Sequence, residues 1–206
     1  AGSITTLTYG WMLQQMPETL IGTAIGTALL PTLSEHFAQE DKEAFQQTIQ
    51  RAFKVLIAIC VPMSAVIAIG LRPLIGLAFG FGTDGTALLS IVAGAYLLGM
   101  TGYSLKEVGV RAFYSRQNAI IPLITAGIDA VLFTLLAVLF YKKLGTPWIA
   151  LTDSIVFTTE AVLLFILLGK RMALPIKLDA GIWRVAAAVV TGGLVTWGLL
   201  TYLEPR

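Results

Sequence analysis

Long apolar blocks alternate with short polar stretches along the whole chain. Each block holds about 20 residues, and because a helix rises ~1.5 Å per residue, each is long enough to cross the ~30 Å hydrocarbon core of a bilayer. The strict apolar–polar alternation that is typical of a membrane β-barrel does not occur in blocks such as 182–202. The pattern therefore predicts an all-α fold, a polytopic transmembrane helix bundle of about six spans, at about 4–33, 49–71, 86–105, 119–141, 148–168 and 181–203.

Prolines and a polar stretch set the expected form of the first two spans. Pro17 removes a backbone donor from the middle of the long first span and predicts a kink, and Pro62 predicts a bend in the second. The polar stretch 35–50 carries Asp41 as a suitable helix N-cap. We therefore expect a short interfacial helix that leads into the second span.

Small residues at a four-residue spacing predict close contacts between helices. Gly22 and Gly26 form a G-x-x-x-G pair, and Ala95 and Gly99 repeat the small-xxx-small pattern. Such contacts are mostly a packing signal. In transporters they also allow helices to rock against one another.

The later connections are all short. We expect a loop over 72–85, a basic stretch over 106–118 and a tight turn over 142–147. Short connections leave no room for an inserted soluble domain, so residues 1–206 are predicted to form one transmembrane domain with antiparallel neighbouring helices. The chain opens at Ala1 without an initiator methionine or a basic signal region, so we expect no signal peptide and a piece of a longer protein.

Lysine and arginine are distributed unevenly between two sets of connections. Cytoplasmic connections of membrane proteins carry the excess of these residues. The regions after the first, third and fifth spans hold most of them, so this side is predicted to face the cytoplasm and both termini to lie outside. The predicted cytoplasmic set is Lys42, Arg51, Lys54, Lys106, Arg111, Arg116, Lys170, Arg171 and Lys177, and the opposite set is Arg72, Lys142, Lys143 and Arg206.

Composition excludes several classes of protein. Only 13% of the residues are charged and 56% are hydrophobic, whereas a soluble domain carries about 25% charged residues. A net charge of +2 without a basic, aromatic-interleaved patch excludes a nucleic-acid surface. Cys60 and His36 are each alone of their type, so we expect no disulfide framework, no metal site and no bound cofactor.

Enzyme motifs receive no support from the sequence. Residues 80–85, GFGTDG, match the dinucleotide fingerprint G-x-G-x-x-G, but that fingerprint requires a preceding strand, and here a predicted spanning helix precedes it. We therefore interpret the segment as an extracytoplasmic turn. A single histidine also offers little general acid–base chemistry, so we do not expect an enzyme.

Several carboxylates fall within the predicted spans, namely Glu18, Asp129, Asp153 and Glu160. Each costs at least a few kcal/mol at mid-membrane, so such groups mostly face protein or a water-filled cavity. Asp153 and Glu160 are seven residues apart and share a helix face, and Thr152 and Thr159 repeat that spacing. One interpretation is a proton- or cation-coupling site at Asp129, Asp153, Glu160 and Thr159. The other places Asp153 at the interface and a protonated Glu160 against a neighbouring helix.

Arginines on the predicted cytoplasmic side offer a second kind of chemistry. Arg111 and Arg116 lie close to Phe113 and Tyr114, and guanidinium groups bind phosphate or pyrophosphate through paired hydrogen bonds. Arg51 is open to the same interpretation. The alternative is that these arginines only anchor the cytoplasmic helix ends to anionic lipid.

Two parts of the chain resemble the MurJ/MviN family of lipid II flippases, within the multidrug/oligosaccharidyl-lipid/polysaccharide exporter superfamily. Residues 8–17 (TYGWMLQQMP) and 21–34 (IGTAIGTALLPTLS) are similar to the family's Y-A-x-R-L-x-Q-L-P and G-V-A-I-A-T-x-L-L-P-x-L-S. Residues 111–118 (RAFYSRQN), with Pro122, are similar to R-A-F-Y-A-x-x-D-x-x-x-P. The resemblance covers most of the chain up to about residue 172, and only hydropathy matches thereafter.

The resemblance implies a fold, a location and partners. The fold is the second lobe of a two-lobed transporter, roughly helices eight to thirteen of fourteen, in the bacterial cytoplasmic membrane. The implied function is translocation of lipid II by alternating access, in peptidoglycan and cell-wall biogenesis. The implied partners are membrane lipid, a polyprenyl-pyrophosphate-linked glycan, and first-lobe helices of the same or a partner chain.

The resemblance also implies site residues. The first motif contributes Tyr9, Gln15 and Glu18 as substrate-binding candidates, in addition to Arg51, Arg111 and Arg116. Met12 stands where the family's motif has an arginine that is thought to bind the lipid pyrophosphate.

Other functions stay open at this point. One is a polysaccharide-lipid flippase, or a drug antiporter in which Asp129 and Glu160 bind the coupling cation or proton. Another is a non-catalytic membrane assembly subunit that pairs with a separate first-lobe chain.

Overall fold

A computed structural model describes residues 2–79 and 82–172, and every regular element in these ranges is helical. The predicted sixth span, 181–203, and the residues Lys177 and Arg206 lie outside the described residues. The elements are α1 (Gly2–Glu18), a π-helical segment (Thr19–Thr23), α2 (Ala24–Ala38), α3 (Lys42–Phe79), α4 (Thr83–Tyr114), α5 (Ile120–Leu144) and α6 (Thr146–Met172).

The membrane character of the bundle agrees with the prediction from hydropathy. Within the described residues, the helices α3, α4, α5 and α6 are each long and apolar enough to cross a membrane. The predicted first span is divided between α1, of 17 residues, and α2, of 15, which follow one another through the π-helical segment. The all-α transmembrane fold is therefore confirmed.

The irregularity expected at Pro17 takes the form of a π-helical segment that begins two residues later, at Thr19. Such segments widen the helix and are frequent at functional sites. Gly22 lies inside this one, where a Cβ atom would come within 2.6 Å of the Ser104 hydroxyl oxygen on α4. The absence of a side chain at Gly22 therefore lets the widened turn approach α4 closely.

The second and third spans are longer than hydropathy predicted. Asp41 caps α3, since its carboxylate accepts a hydrogen bond of 2.9 Å from the Ala44 N–H, but α3 then continues unbroken to Phe79. The residues that were expected to form a short interfacial helix are the first turns of α3 itself, and the loop that was predicted to begin at residue 72 begins only after Phe79. Phe45 and Ile49 are buried, so the start of α3 packs onto the bundle and extends the spanning helix.

The end of α4 also differs from the prediction. The helix runs to Tyr114, so the predicted basic connection over 106–118 is reduced to a short turn after that residue. Lys106 and Arg111 therefore lie on the helix and not in a loop. By contrast, the predicted tight turn between α5 and α6 is confirmed, because Gly145 alone separates them, with a φ of 68° that suits glycine.

Helix α4 occupies the centre of the bundle and packs against α1, α3 and α6. Gly10 and Gly22 of α1 and its π-helical extension contact Val92 and Ser104 in the same order along both helices, so α1 and α4 run parallel. Cys60 of α3 contacts Ser104, whereas the later Leu71 contacts the earlier Gly94, so α3 and α4 are antiparallel. Consecutive spanning helices thus alternate in direction.

Glycines make the α4–α6 interface unusually close. A Cβ atom at Gly99 would lie 2.6 Å from the Ser154 Cα, and one at Gly102 would lie 2.8 Å from the Thr158 Cα. The Ser154 hydroxyl donates a hydrogen bond of 2.6 Å to the backbone carbonyl of Ala95. Backbones therefore meet directly along this interface, and small residues on α4 fix the register in which α6 packs.

Candidate functional site

An ion pair joins α4 to α6 inside the bundle. The Lys106 Nζ lies 3.2 Å from the Glu160 Oε2, and the Glu160 side chain is only 3% exposed. The Thr125 hydroxyl of α5 donates a hydrogen bond of 3.1 Å to the other carboxylate oxygen, Oε1. Glu160 therefore connects three helices through polar contacts.

Two aromatic rings complete the surroundings of the lysine. The Lys106 Nζ lies 4.2 Å from the centroid of the Phe157 ring and 5.1 Å from that of Tyr103. The two rings pack edge to face, with centroids 4.8 Å apart. Cation–π contacts of this kind stabilise a desolvated ammonium group by about 2 kcal/mol or more.

This arrangement gives Glu160 a charged partner on a neighbouring helix. Removal of either partner of such a buried ion pair leaves an uncompensated charge. Lys106 was expected in a cytoplasmic connection, where it could not reach Glu160. The prediction failed because α4 continues for two further turns beyond the apolar block.

Asp129 and Asp153 lie near the same lysine. Both carboxylates are within range of electrostatic interaction with Lys106, and Asp129 follows Thr125 by one turn of α5. The Asp129 Oδ1 is buried and has no hydrogen-bond partner among the described residues. A buried carboxylate oxygen without a donor is costly, so a proton, a water molecule or a cation would stabilise it.

Thr152 and Thr159 of α6 have different surroundings. Thr159, predicted to belong to a coupling site, is exposed, and its hydroxyl donates back to the Ile155 carbonyl at 2.7 Å. Thr152 is fully buried, and its hydroxyl has no hydrogen-bond partner in the described part of the chain. The buried polar position is therefore Thr152, about two turns of α6 before Thr159.

The described residues contain no group of three or more His, Cys, Asp or Glu side chains placed to hold a metal ion. The carboxylates Asp129, Asp153 and Glu160 thus share one region of the bundle without converging on a single point. Any cation held here would combine one or two carboxylate oxygens with threonine hydroxyl or backbone carbonyl oxygens.

A second buried polar cluster lies on the opposite face of α4. Glu18 is 2% exposed at the end of α1, and its carboxylate and the Ser104 hydroxyl both lie beside Gly22. The Cys60 thiol of α3 donates to the Ser104 hydroxyl oxygen at 3.5 Å. Ser104 and Lys106 are two residues apart, which turns them about 200° from each other around the helix. Buried carboxylates of α1 and α6 are thus held at similar heights on either side of α4.

The other residues of the first motif have distinct surroundings. The Tyr9 ring packs against Phe79, with centroids 5.0 Å apart. Gln14 is buried at 6% exposure, whereas its neighbour Gln15, predicted to bind substrate, is only partly buried. Met12, at the position of the family's arginine, is 47% exposed.

The three arginines predicted to bind the headgroup are not brought together. The Arg111 Nη2 pairs with the Glu107 Oε2 at 3.1 Å, and its buried Nε has no hydrogen-bond partner among the described residues. Arg111 contacts α2 at Gly26, whereas the Arg116 guanidinium lies 5.7 Å from the ring centroid of Phe37. Gly26 and Phe37 are separated by ~16 Å of helix rise. Arg51 is exposed on α3.

Comparison with known proteins adds the family. A profile described as lipid II flippase MurJ matches residues 1–204, nearly the whole chain. The chain belongs to the lipid II flippase MurJ family. Its relatives are bacterial, and with the apolar helices described above this places it as a multi-pass protein of the bacterial cytoplasmic membrane.

Individual relatives are distant in sequence. The lipid II flippase MurJ of Burkholderia cenocepacia is 26% identical over 208 residues, covering 98% of this chain and 40% of the relative. The probable lipid II flippase MurJ of Rhizobium meliloti is 24% identical over 173 residues, covering 82% of this chain and 32% of the relative. The chain therefore spans well under half the length of these members of the family.

A solved structure supports the same fold. The structure titled lipid II flippase MurJ, inward closed conformation, superposes with a TM-score of 0.83 at 22% sequence identity. The superposed region includes 99% of this chain and 42% of the chain in the solved structure. At this identity the likeness shows the fold, which is that of one part of a MurJ-type transporter.

Sequence reasoning missed Ser104, Lys106 and Thr125 as site residues. Thr125 and Asp129 are four apart on one predicted span, which is a usable signal for a shared helix face. For Ser104 and Lys106 no such signal was present, because their roles depend on which helices pack against α4.

Proposed function

We propose that the protein to which this chain contributes translocates lipid II across the cytoplasmic membrane by alternating access. The match of the lipid II flippase MurJ profile to residues 1–204 is the observation that carries the proposal. Because the chain spans 40% of its Burkholderia relative, the proposed transporter includes first-lobe helices from the remainder of the same chain or from a partner. The proposed activity moves the lipid without any covalent change.

The packing of the bundle supports a division into a rigid part and a movable part. Helices α4 and α6 are fixed against each other by backbone contact at Gly99 and Gly102 and by the Lys106–Glu160 ion pair. Helices α1 and α2 are joined through the π-helical segment Thr19–Thr23, where the regular hydrogen-bond ladder is interrupted. In the proposed cycle, α1 and α2 change their inclination at this segment while α4, α5 and α6 move as one unit.

We assign the pyrophosphate of lipid II to Arg111. Its Nε lies buried without a partner, and the single contact with Glu107 leaves part of the guanidinium fork free for a phosphate oxygen pair. Glu107 holds the side chain in place when substrate is absent. Tyr9, Gln15 and Glu18 on α1 and the more distant Arg51 are assigned supporting roles along the path of the headgroup.

We assign a coupling cation or proton to Asp129 and Asp153. Glu160 is already neutralised by Lys106, so the charge available to an added cation resides on the two aspartates. The buried, unpartnered oxygens of Asp129 and Thr152 are the features that favour a bound ion at this end of α6. A cation-coupled antiporter of the same superfamily would use the same groups, but it would not require Arg111.

The test is transport by the full-length gene product reconstituted in liposomes. Fluorescent lipid II, a polyprenyl-pyrophosphate oligosaccharide without peptide and a cationic drug are supplied separately, with protein-free liposomes as the control. The proposal expects translocation of lipid II and slower translocation of the other compounds. Preferential movement of the oligosaccharide lipid or the drug would assign the protein to one of the alternative functions.

A further inference from the structure

A cavity of about 870 Å³ opens at the end of the bundle where α2 turns into α3 and α4 turns into α5. Its volume falls within the range of small-molecule sites, roughly 300 to 1,000 Å³. The polar and aromatic side chains that line it include His36, Phe37, Glu40, Asp41, Lys42 and Arg116. The cavity lies far along α2 from Gly26, where Arg111 contacts that helix, so it is separate from the proposed pyrophosphate site.

Both turns beside the cavity are tightly fixed. At the end of α2, the Asp41 N–H donates to the His36 carbonyl and the Glu40 N–H to the Phe37 carbonyl. At the end of α4, the Asn118 N–H donates to the Phe113 carbonyl in the same pattern. These are paired C-terminal helix caps that usually have glycine in the left-handed position.

The left-handed positions of these caps carry side chains instead. Glu40 and Gln117 both have a φ of 56°, a conformation that strains residues with a Cβ atom and that glycine adopts freely. Glu40 therefore keeps its carboxylate beside the cavity at the cost of backbone strain. Strained positions of this kind cluster at ligand-binding sites.

The charges around the cavity are of both signs and are not paired with each other. Among the described residues, no carboxylate lies within ion-pairing distance of Arg116, whose guanidinium is positioned over the Phe37 ring. Lys42 is the first residue of α3, whose N-terminus adds partial positive charge. The Asp41 carboxylate is engaged in capping α3, which leaves Glu40 as the free negative group.

We propose that this cavity binds the headgroup of a phospholipid that carries both a phosphate and a primary ammonium group, as phosphatidylethanolamine does. The phosphate meets Arg116 and Lys42 at the start of α3. The ammonium group donates to the Glu40 carboxylate. Phe37, 42% exposed, packs against the glycerol portion at the membrane surface. The site holds a membrane lipid in place and is independent of the transport cycle.

A lipid-retention experiment on the full-length transporter tests this site. The delipidated protein is titrated with phosphatidylethanolamine, phosphatidylcholine, phosphatidylglycerol and lipid II in turn, and bound lipid is counted by native mass spectrometry. The expected result is preferential retention of phosphatidylethanolamine, weakened about ten-fold by Arg116→Gln through loss of a charge-assisted contact. Arg72→Gln, which removes an exposed arginine at the other end of α3, should leave retention unchanged.

The Glu40→Gln variant tests the ammonium contact separately. It should abolish the preference for phosphatidylethanolamine over phosphatidylcholine, whose methylated ammonium cannot donate hydrogen bonds, while leaving the protein folded because Glu40 is exposed. Equal retention of all the phospholipids by the wild type would overturn the proposal, as would unchanged retention in both variants. Binding of lipid II in preference to phospholipid, sensitive to Arg116→Gln, would assign the cavity to the transported substrate and overturn it as well.

Discussion

The Lys106 ammonium lies 3.2 Å from the Glu160 carboxylate, so a fixed positive charge on α4 neutralises a buried negative charge on α6. Breaking such a pair by removing one partner costs about 3–5 kcal/mol, whereas replacing both partners by apolar residues is often neutral. We therefore expect Lys106→Met to destabilise the protein by that amount and Lys106→Met combined with Glu160→Met to recover most of the loss. The measurement is unfolding in detergent for the single and double variants.

The control for this cycle is Lys143→Met, which removes an exposed lysine near the end of α5 and should change stability by less than about 0.5 kcal/mol. If the loss of stability in the double variant equals the sum of the losses in Lys106→Met and Glu160→Met, the ion pair is not a coupled unit.

Glycine substitutions on α4 test the rigidity assigned to its interface with α6. A Cβ atom at Gly102 would lie 2.8 Å from the Thr158 Cα, a backbone atom that cannot move independently. Gly102→Ala should therefore destabilise the protein by about 1–3 kcal/mol. Gly127→Ala on α5, where no atom lies within 4 Å of the added carbon, should be neutral or stabilising by up to about 1 kcal/mol. Equal effects of the two changes would show that the α4–α6 contact is not close.

The two ends of α4 provide a test of orientation in the membrane. Cys60 is the only cysteine within residues 1–206, so Cys60→Ala, with any cysteine elsewhere in the full-length protein also replaced, gives a background for Asp84→Cys and Asn118→Cys at the two ends of this helix. The lysine and arginine distribution predicts that the cysteine at 118 faces the cytoplasm and the one at 84 the outside. An impermeant maleimide applied to intact cells should label only position 84. Labelling of both positions, or of 118 alone, would refute the predicted orientation.

Hydropathy was sufficient for the membrane fold but not for the helix ends. The blocks of apolar residues located α3 through α6 correctly, because a bilayer demands about 20 apolar residues whatever the helix packs against. The ends of α3 and α4 depend on further contacts, such as burial of Phe45 and Ile49 or the pairing of Lys106, and these extend each helix beyond its apolar block.

The candidate site was predictable in part for the same reason. A carboxylate within an apolar span is conspicuous in a sequence, so Asp129, Asp153 and Glu160 could be named as candidates from the sequence alone. The choice between Thr152 and Thr159 could not be predicted, because the two are seven residues apart and so fall on the same helix face in the sequence pattern. Only the packing of α6 buries Thr152 and exposes Thr159. Lys106 was missed because its partner is 54 residues away in sequence, a pairing set by the register of α4 on α6.

Cation dependence tests the assignment of Asp129. Asp129→Asn keeps the shape of the side chain but removes its charge, so the concentration of coupling cation that half-saturates transport, with sodium as the test cation, should rise about ten-fold, equivalent to ~1.4 kcal/mol. Thr159→Val, on the exposed surface of α6, is the matched control and should not change it. The measurement is the initial rate of lipid translocation across a sodium titration at constant ionic strength. If Asp129→Asn reduces the amount of folded protein, and the protein that does fold keeps the wild-type half-saturating concentration, Asp129 has a structural role instead.

Translocation of lipid II by the full-length transporter and its Arg111→Lys variant tests the proposed function most directly. Lysine keeps the positive charge but cannot reproduce the planar fork of the guanidinium group, so bidentate pyrophosphate binding should weaken by about 1–3 kcal/mol. We predict rapid translocation by the wild type in proteoliposomes, and a loss of about ten-fold or more in apparent affinity for lipid II in the variant. Wild-type proteoliposomes that move lipid II no faster than protein-free liposomes would contradict the proposed function. An affinity that is unchanged in Arg111→Lys would contradict the role assigned to that arginine.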